Sequence, residues 1–187
     1  MDATMVSRRT LWRVDTRVVV YMAIGAALYA ALNLITNRIV IPGAQNVSLR
    51  PGIVIPIVFG VLFGPIVGFF VGAVGNFISD LLTYGFFWNW DLGNGLIGFI
   101  AGLTPLAVGA TARQWPRIIA GTIMGAIGIV VGLGVAALLD IWVSKMTAGA
   151  AISTEWVPAA GWDLVWGVPL TIIVLLAWYR ARLRTGR

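Results

Sequence analysis

The sequence lacks cysteine and histidine altogether, and its only lysine is Lys145. The absence of cysteine excludes disulfides, thiol catalysis and sulfur-ligated metal sites. The absence of histidine removes the commonest metal ligand and the commonest general base. No GxxxxGK[ST] loop is present, so ATP-driven work would need a partner protein. We therefore expect no cofactor and no metal site.

Charge is also scarce. Charged residues make up 11% of the 187 residues and hydrophobic residues 59%, with a mean hydropathy of +0.93. Soluble domains carry about a quarter charged residues, so we predict an integral membrane protein in the lipid bilayer. The length allows roughly five to seven spans of about 20 residues, in a single domain over 1–187. The N-terminal residues lack the pattern of a removed signal peptide, and none is expected.

The apolar runs predict an all-α bundle of six transmembrane helices. Their approximate ranges are 18–36, 53–64, 65–83, 91–111, 117–143 and 161–180. The second run is too short for a full upright span. Polar loops are expected over 37–52 and 144–160. Gly60, Gly64, Gly68 and Gly72 recur every four residues, which predicts close helix packing.

The basic residues predict the orientation of this bundle. With both termini in the cytoplasm, ten basic residues lie inside and three (Arg38, Arg50 and Lys145) lie outside. This sorting satisfies the positive-inside rule. Acidic residues sort the opposite way, giving net charges of −2 outside and +8 inside. The net charge of +6 therefore indicates cytoplasmic edges facing anionic lipid, and we expect no nucleic-acid partner.

Polar and aromatic side chains gather at the predicted outer helix ends. Carboxylates and amides beside apolar helices are costly unless they are used, and an aromatic wall with a few polar anchors is typical of a small-molecule pocket. The predicted substrate-binding residues are Asn76, Asp80, Trp90, Asp91, Asn94, Asp140, Trp162, Asp163 and Trp166.

Structural interpretations of the same residues stay open. Asp91 and Asp163 open predicted helices and could be helix caps. The tryptophans could belong to an interfacial aromatic belt. Asp80 could pair with Arg38 or Arg50. A further stripe, Ala23, Ala27 and Ala31, lies at i, i+4, i+8 and could serve either packing within the bundle or an intersubunit face.

The stretches GAALYAAL, VLFGPIVGFFVGAVGNFISDLL and WDLGNGLIGFIAGL resemble the S components of energy-coupling factor (ECF) transporters. These are small, usually six-helix, substrate-capturing subunits for vitamins and related micronutrients. The resemblance implies binding near the outer face, a transmembrane coupling subunit and two ATPase subunits, and reorientation in the membrane to release substrate inside. It also implies that the protein is not an enzyme.

Two segments acquire roles from this resemblance. The stripe of Ala23, Ala27 and Ala31 would dock the coupling subunit. The loop over 37–52 would cover the ligand, with a gating set of Arg38, Gln45, Asn46 and Arg50. Nickel and cobalt members of the family use an N-terminal Met-His element, which this histidine-free chain lacks, so a metal substrate is not expected.

An acidic, tryptophan-rich outer mouth favours a small flat or cationic organic molecule, such as a vitamin, because tryptophan faces attract cations and stack on rings. We expect the protein in the prokaryotic plasma (inner) membrane. Two other functions remain open. A membrane-embedded enzyme could use Asp80 and Asp91 as an acid–base pair, although no nucleophile motif is present. A self-contained carrier or channel is disfavoured by the lack of visible inverted repeats.

Overall fold

A computed structural model describes residue 12, residues 14–37, residue 39, residues 48–109 and residues 112–185. The regular elements in these ranges are helices, so the all-α prediction is confirmed. They are α1 (Thr16–Thr36), a 3-10 turn (Pro51–Ile53) that leads into α2 (Val54–Phe63), α3 (Pro65–Thr83), α4 (Trp88–Gly102), α5 (Thr104–Val108), α6 (Gln114–Val143), α7 (Ala148–Ala150), a π-helical segment (Ala151–Trp156) and α8 (Val157–Thr185).

In the described part of the chain, five helical stretches are long and apolar enough to cross a membrane. They are Thr16–Thr36, Pro65–Thr83, Trp88–Val108, Gln114–Val143 and Ala148–Arg184. The apolar helical stretch Pro51–Phe63 is shorter. The prediction of six helices with a short second helix is thus confirmed.

Local chemistry explains where several helices begin. The Asp15 side chain accepts a hydrogen bond of 3.0 Å from the Val18 amide and caps α1. Gly64 separates α2 from α3 with a φ of 103°, a conformation that glycine adopts readily. Pro65 then occupies the first turn of α3, where its missing amide proton costs nothing. The fourth predicted helix begins earlier than expected, at Trp88, and is interrupted at Leu103.

The prediction of a loop over 144–160 is wrong for most of its length. Only four residues separate α6 from α7, and the chain then remains helical through the π-helical segment into α8. Thr147 starts this segment, because its hydroxyl accepts a hydrogen bond of 3.2 Å from the Ala150 amide. Asp163 consequently lies inside α8 and not at a helix start, so the capping interpretation of Asp163 is also wrong.

Side-chain contacts define the two ends of the bundle. Trp12 contacts Phe99 at a ring-centroid distance of 6.0 Å, and Phe63 contacts both Tyr21 (4.2 Å) and Trp178 (5.9 Å). The start of α1 and the later parts of α2, α4 and α8 therefore meet at one end, called here the terminal end. The ends of α1, α3 and α6 and the start of α4 meet at the opposite end, called here the polar end.

Glycine allows the central helices to approach closely. A Cβ atom at Gly68 of α3 would overlap backbone atoms of Gly98 of α4, and the reverse is also true. The backbones of α3 and α4 are therefore in direct contact at these two glycines. A Cβ at Gly72 would overlap the Asn94 carbonyl, and one at Gly60 would overlap the Gly98 carbonyl. The packing prediction is thus confirmed for Gly60, Gly68 and Gly72, whereas Gly64 forms the turn between two helices.

Candidate functional site

A cavity of about 500 Å³ lies at the polar end of the bundle. Small-molecule sites span roughly 300–1,000 Å³, so this volume suits an organic ligand. The lining comes from the residues that precede α2, from α3 and α4, from α6 and from the helical segment leading into α8. The lining residues are Ser48, Arg50, Asp80, Tyr84, Phe87, Trp90, Leu133, Asp140, Ser144, Met146, Glu155, Ala159 and Asp163.

The structure brings about half of the predicted binding residues to this cavity. Asp80, Trp90, Asp140 and Asp163 line it, together with Arg50 of the gating set. Three predicted residues are buried but do not line it, and they form hydrogen bonds around it: Asn76, Asp91 and Asn94.

Two predicted binding residues are separated from the cavity. Trp162 and Trp166 are 41% and 37% exposed and are absent from its lining, so the outward face of α8 carries them. This exposure corrects their assignment to the pocket wall and favours the alternative of an interfacial aromatic belt. Arg38, Gln45 and Asn46 of the gating set lie outside the described residues.

Asn76 is the centre of a buried hydrogen-bond network. Its Nδ2 donates to Asp80 Oδ2 at 2.7 Å and to Asp91 Oδ1 at 2.9 Å. Its Oδ1 accepts from Arg50 Nη1 at 3.3 Å. Asp91 lies in the first turn of α4, where an acid is favourable, although the N-cap residue is Phe87. Asp91 also joins α4 to α3 through its hydrogen bond from Asn76.

Asp80 is only partly satisfied by this network. It is 3% exposed, and its Oδ1 has no hydrogen-bond partner among the described residues. Arg50 Nη2 lies 4.0 Å from that oxygen, so the predicted pairing with Arg50 occurs at long range. Buried polar atoms are nearly always hydrogen-bonded in folded proteins. Asp80 thus retains an acceptor that a ligand at the cavity could use.

Arg50 remains a cation in this setting. Burial alone would lower the pKa of its guanidinium, but the neighbouring Asp80 carboxylate raises it, as do Tyr29 and Asp163. The net effect is a pKa above the ordinary value for arginine. The cavity therefore carries one fixed positive charge beside the Asp80 carboxylate.

A second set of hydrogen bonds fixes the aromatic wall. Trp90 Nε1 donates to Asp140 Oδ2 at 2.7 Å, and Ser144 Oγ donates to Asp140 Oδ1 at 2.7 Å. Behind Trp90, the Tyr29 hydroxyl donates to Asn94 Oδ1 at 2.7 Å, and Asn94 Nδ2 donates to the Trp90 carbonyl at 2.9 Å. The Trp90 indole is thus held from α6, and the Trp90 backbone is linked to α1 through Asn94.

Asn37 holds together the elements around the loop before α2. Its Nδ2 donates to Ser79 Oγ at 2.9 Å, and its Oδ1 accepts from Ser48 Oγ at 3.2 Å. Its carbonyl accepts from the Tyr84 hydroxyl at 2.6 Å. Sequence reasoning missed this set because serine and asparagine beside helix ends are common. The position of Ser79 in the polar turn between Asn76 and Asp80 was the available signal.

Asp163 and Glu155 bring carboxylates from the last helical segment. Asp163 is 4% exposed and makes no hydrogen bond or ion pair with any described residue. Glu155 Oε2 is buried and also lacks a hydrogen-bond partner in the described part of the chain. Glu155 was missed as a binding residue because its segment was predicted to be a loop, although it is the only acid there.

Comparisons with known proteins identify the family of this chain. The family model described as ECF-type riboflavin transporter, S component, matches residues 13–180. The chain belongs to this family. It is 36% identical over 131 residues to a UPF0397 protein of Vibrio atlanticus (strain LGP32), covering 67% of this chain and 71% of the relative. It is 37% identical over 133 residues to a UPF0397 protein of Aliivibrio salmonicida (strain LFI1238), covering 67% and 70%. No solved structure matches.

Membership confirms the resemblance seen in the sequence. An ECF S component is the substrate-binding membrane subunit of a transporter, and partner ATPase subunits hydrolyse the ATP. The chain is accordingly a multi-pass bacterial membrane protein and a transporter component, not an enzyme. Its partners are a small-molecule substrate, a membrane coupling subunit and ATPases.

The alanines of α1 lie on two faces of the helix, one buried and one exposed. Ala26 and Ala30 are 3% and 4% exposed and pack inside the bundle. Ala23, Ala27 and Ala31 are exposed on the opposite side of α1. Packing within this bundle therefore does not explain the predicted stripe, which leaves a face of small side chains where another helix could approach closely.

Proposed function

We propose that this S component captures a vitamin or a related small micronutrient at the outer face of the prokaryotic plasma (inner) membrane. The observation that supports this proposal is the cavity at the polar end of the bundle, opposite the terminal end. Carboxylate oxygens without a hydrogen-bond partner among the described residues lie there beside an aromatic wall. ATP hydrolysis in the partner subunits then drives delivery of the captured molecule into the cell.

Each proposed contact follows from a side chain's position. Asp80, Trp90, Asp140 and Asp163 contact the substrate because they line the cavity. A supporting set lies behind them: Asn76, itself bonded to Asp91, orients the Asp80 side chain, and Asn94 bonds the Trp90 backbone. The gating set Arg38, Gln45, Asn46 and Arg50 covers the ligand, with Arg50 at its described end.

The substrate is a flat or cationic organic molecule. Tyr84, Phe87 and Trp90 supply aromatic surface to the cavity, which suits ring stacking and cation–π contacts. Riboflavin, which appears in the name of the matching family, is a flat molecule and the first compound to test.

The coupling subunit docks on Ala23, Ala27 and Ala31 of α1. Their exposure supports this assignment, since small side chains let a partner helix approach within van der Waals contact over several turns. Ile24 and Leu28 border the stripe and are half exposed, so they extend the docking face with apolar surface.

The test combines ligand identification with reconstitution. Native mass spectrometry of the purified protein is expected to find one bound organic molecule of vitamin size. Proteoliposomes with the coupling subunit and both ATPases are expected to accumulate that molecule only when ATP is supplied. Accumulation by the chain alone, with no ATPase present, would instead identify a self-contained carrier and contradict the proposal.

A further inference from the structure

Asp163 is a buried carboxylate that no other described residue pairs. It projects from the inward face of α8, which also carries Ala159 and Gly167, each one helical turn away. A Cβ atom at Gly167 would lie 3.0 Å from Ile129 Cδ1, so this face packs tightly against the bundle. Asp163 is therefore directed from this face to the cavity that it lines.

Among the described residues that line the cavity, acidic side chains outnumber basic ones. Four carboxylates line it, namely Asp80, Asp140, Glu155 and Asp163, and Arg50 is the one basic residue among the described lining residues. Arg50 Nη1 donates to Asn76, and its Nη2 lies 4.0 Å from Asp80. Arg50 acts on Asp163 only at longer range, without an ion pair. Lys145 is exposed and does not line the cavity.

The acids differ in how much their neighbours satisfy them. Both oxygens of Asp140 accept hydrogen bonds, from Trp90 and Ser144. One oxygen of Asp80 accepts from Asn76. Asp163 accepts no hydrogen bond from any described residue, although only 4% of its surface is exposed. A buried carboxylate is costly unless it is both paired and hydrogen-bonded.

We propose that Asp163 anchors a positively charged nitrogen of the substrate, so that this S component selects organic cations. This inference rests on the proposed function and narrows its substrate class to a protonated amine, an amidinium or an azolium. Trp90 and Phe87 then offer aromatic surface to the same charge. A neutral donor satisfies one oxygen of Asp163 but leaves its charge uncompensated.

Matched pairs of probes test the charge on the wild-type protein. Pyridoxamine and pyridoxine differ by an ammonium group in place of a hydroxyl, and 1-methylnicotinamide and nicotinamide differ by a fixed positive charge. Isothermal titration is expected to give at least about tenfold tighter binding of the cation of a pair, since a hydrogen bond to a charged group contributes more than a tenfold factor. Riboflavin serves as a flat neutral probe, and native mass spectrometry reports the charge class of any molecule that co-purifies.

Variants then assign the effect to Asp163. Asp163→Asn keeps the shape and is expected to weaken binding of the preferred cation at least about tenfold, whereas Asp163→Glu retains the charge and part of the affinity. Asp15→Asn is the control, because it removes one carboxylate at the terminal end and keeps a residue that caps α1. Its affinity is expected to equal that of the wild type.

The outcomes separate the two proposals. Equal or tighter binding of the neutral probes, a neutral or anionic co-purified molecule, or unchanged cation affinity in Asp163→Asn would overturn the charge inference and leave the proposed function in place. Binding of none of the five probes, together with no co-purified small molecule, would count against the proposed function itself.

Discussion

Replacing Gly98 by alanine tests the close backbone contact between α3 and α4. A Cβ at Gly98 would overlap the carbonyl of Gly68 and lie 2.9 Å from its Cα, where ordinary contact begins at 3.4 Å. The obstructing atoms are backbone, so no side chain can rotate away and α3 must move from α4. Overpacking of this kind costs about 1–3 kcal/mol, and a chain of this size loses roughly 2–4 °C in Tm per kcal/mol. We expect Gly98→Ala to lower Tm by about 2–12 °C.

The same substitution should weaken substrate binding. Asn76 and Asp80 follow Gly68 on α3, and Asp91 precedes Gly98 on α4. Separating the two helices lengthens the 2.9 Å hydrogen bond from Asn76 Nδ2 to Asp91 Oδ1, which positions Asn76 against Asp80. Affinity for the co-purified ligand should therefore fall along with Tm in the same preparation.

The assay is thermal unfolding in detergent, followed by titration with the ligand that co-purifies. Gly161→Ala on α8 is the matched control, because its Cβ would meet nothing within 4 Å. That change should be neutral or stabilise by up to about 1 kcal/mol, as expected for glycine in a helix. If Gly98→Ala unfolds at the same temperature as the control, the backbone contact between α3 and α4 is looser than described and the reasoning fails.

Three further substitutions address the site and the docking face. Asp80→Ala should weaken ligand binding at least about tenfold without unfolding the protein, and unchanged affinity would restrict Asp80 to a structural role. Trp90→Phe should weaken binding several-fold in titration, because it removes the donor to Asp140, whereas Trp166→Phe should leave affinity unchanged. Ala27→Trp should abolish co-purification with the coupling subunit while ligand binding persists; Ile123→Trp, on an exposed face of α6, is its control. Loss of assembly in both tryptophan variants would show that the α1 stripe is not specific.

Hydropathy and glycine spacing were sufficient to predict most of the fold. Long apolar runs have few alternatives in a bilayer, because only helices and closed barrels satisfy the backbone there. The four-residue spacing of Gly60, Gly68 and Gly72 predicted the close approach of α2 and α3 to α4. The acids at the outer helix ends also indicated the correct end of the bundle for the cavity, since Asp80 and Asp140 both line it.

The side of a helix on which a residue lies was harder to predict. Each residue turns the side chain by about 100°, and the start of α8 was placed too late, so the sequence alone did not separate inward Asp163 from outward Trp162. The segment over 148–156 mixes alanine with glycine, serine and threonine, which are weak helix formers, and this composition concealed a helix that presents Glu155 to the cavity.

Hydrogen bonds between residues that are distant in sequence could not be predicted from hydrophobic periodicity. Tyr29 and Asn94 lie 65 residues apart and meet through one hydrogen bond, and Asn37 reaches Ser79 across 42 residues. Neither partner carries a motif of its own. Such contacts follow from how the helices dock, which depends on backbone approach at glycines more than on any local pattern.

The two faces of α1 connect the proposed docking surface with the cavity. Ala27 is exposed, whereas Tyr29 on the inner side is fully buried and hydrogen-bonded to Asn94, which in turn holds the Trp90 carbonyl. α1 cannot slide freely on its neighbours, because a Cβ at Gly75 of α3 would already lie 2.9 Å from the Ala26 carbonyl. A coupling subunit that pulls on α1 therefore acts on α3 and α4 as well. If transport by this S component involves reorientation in the membrane, as the family resemblance implies, this close packing favours movement of the whole bundle over movement of one helix.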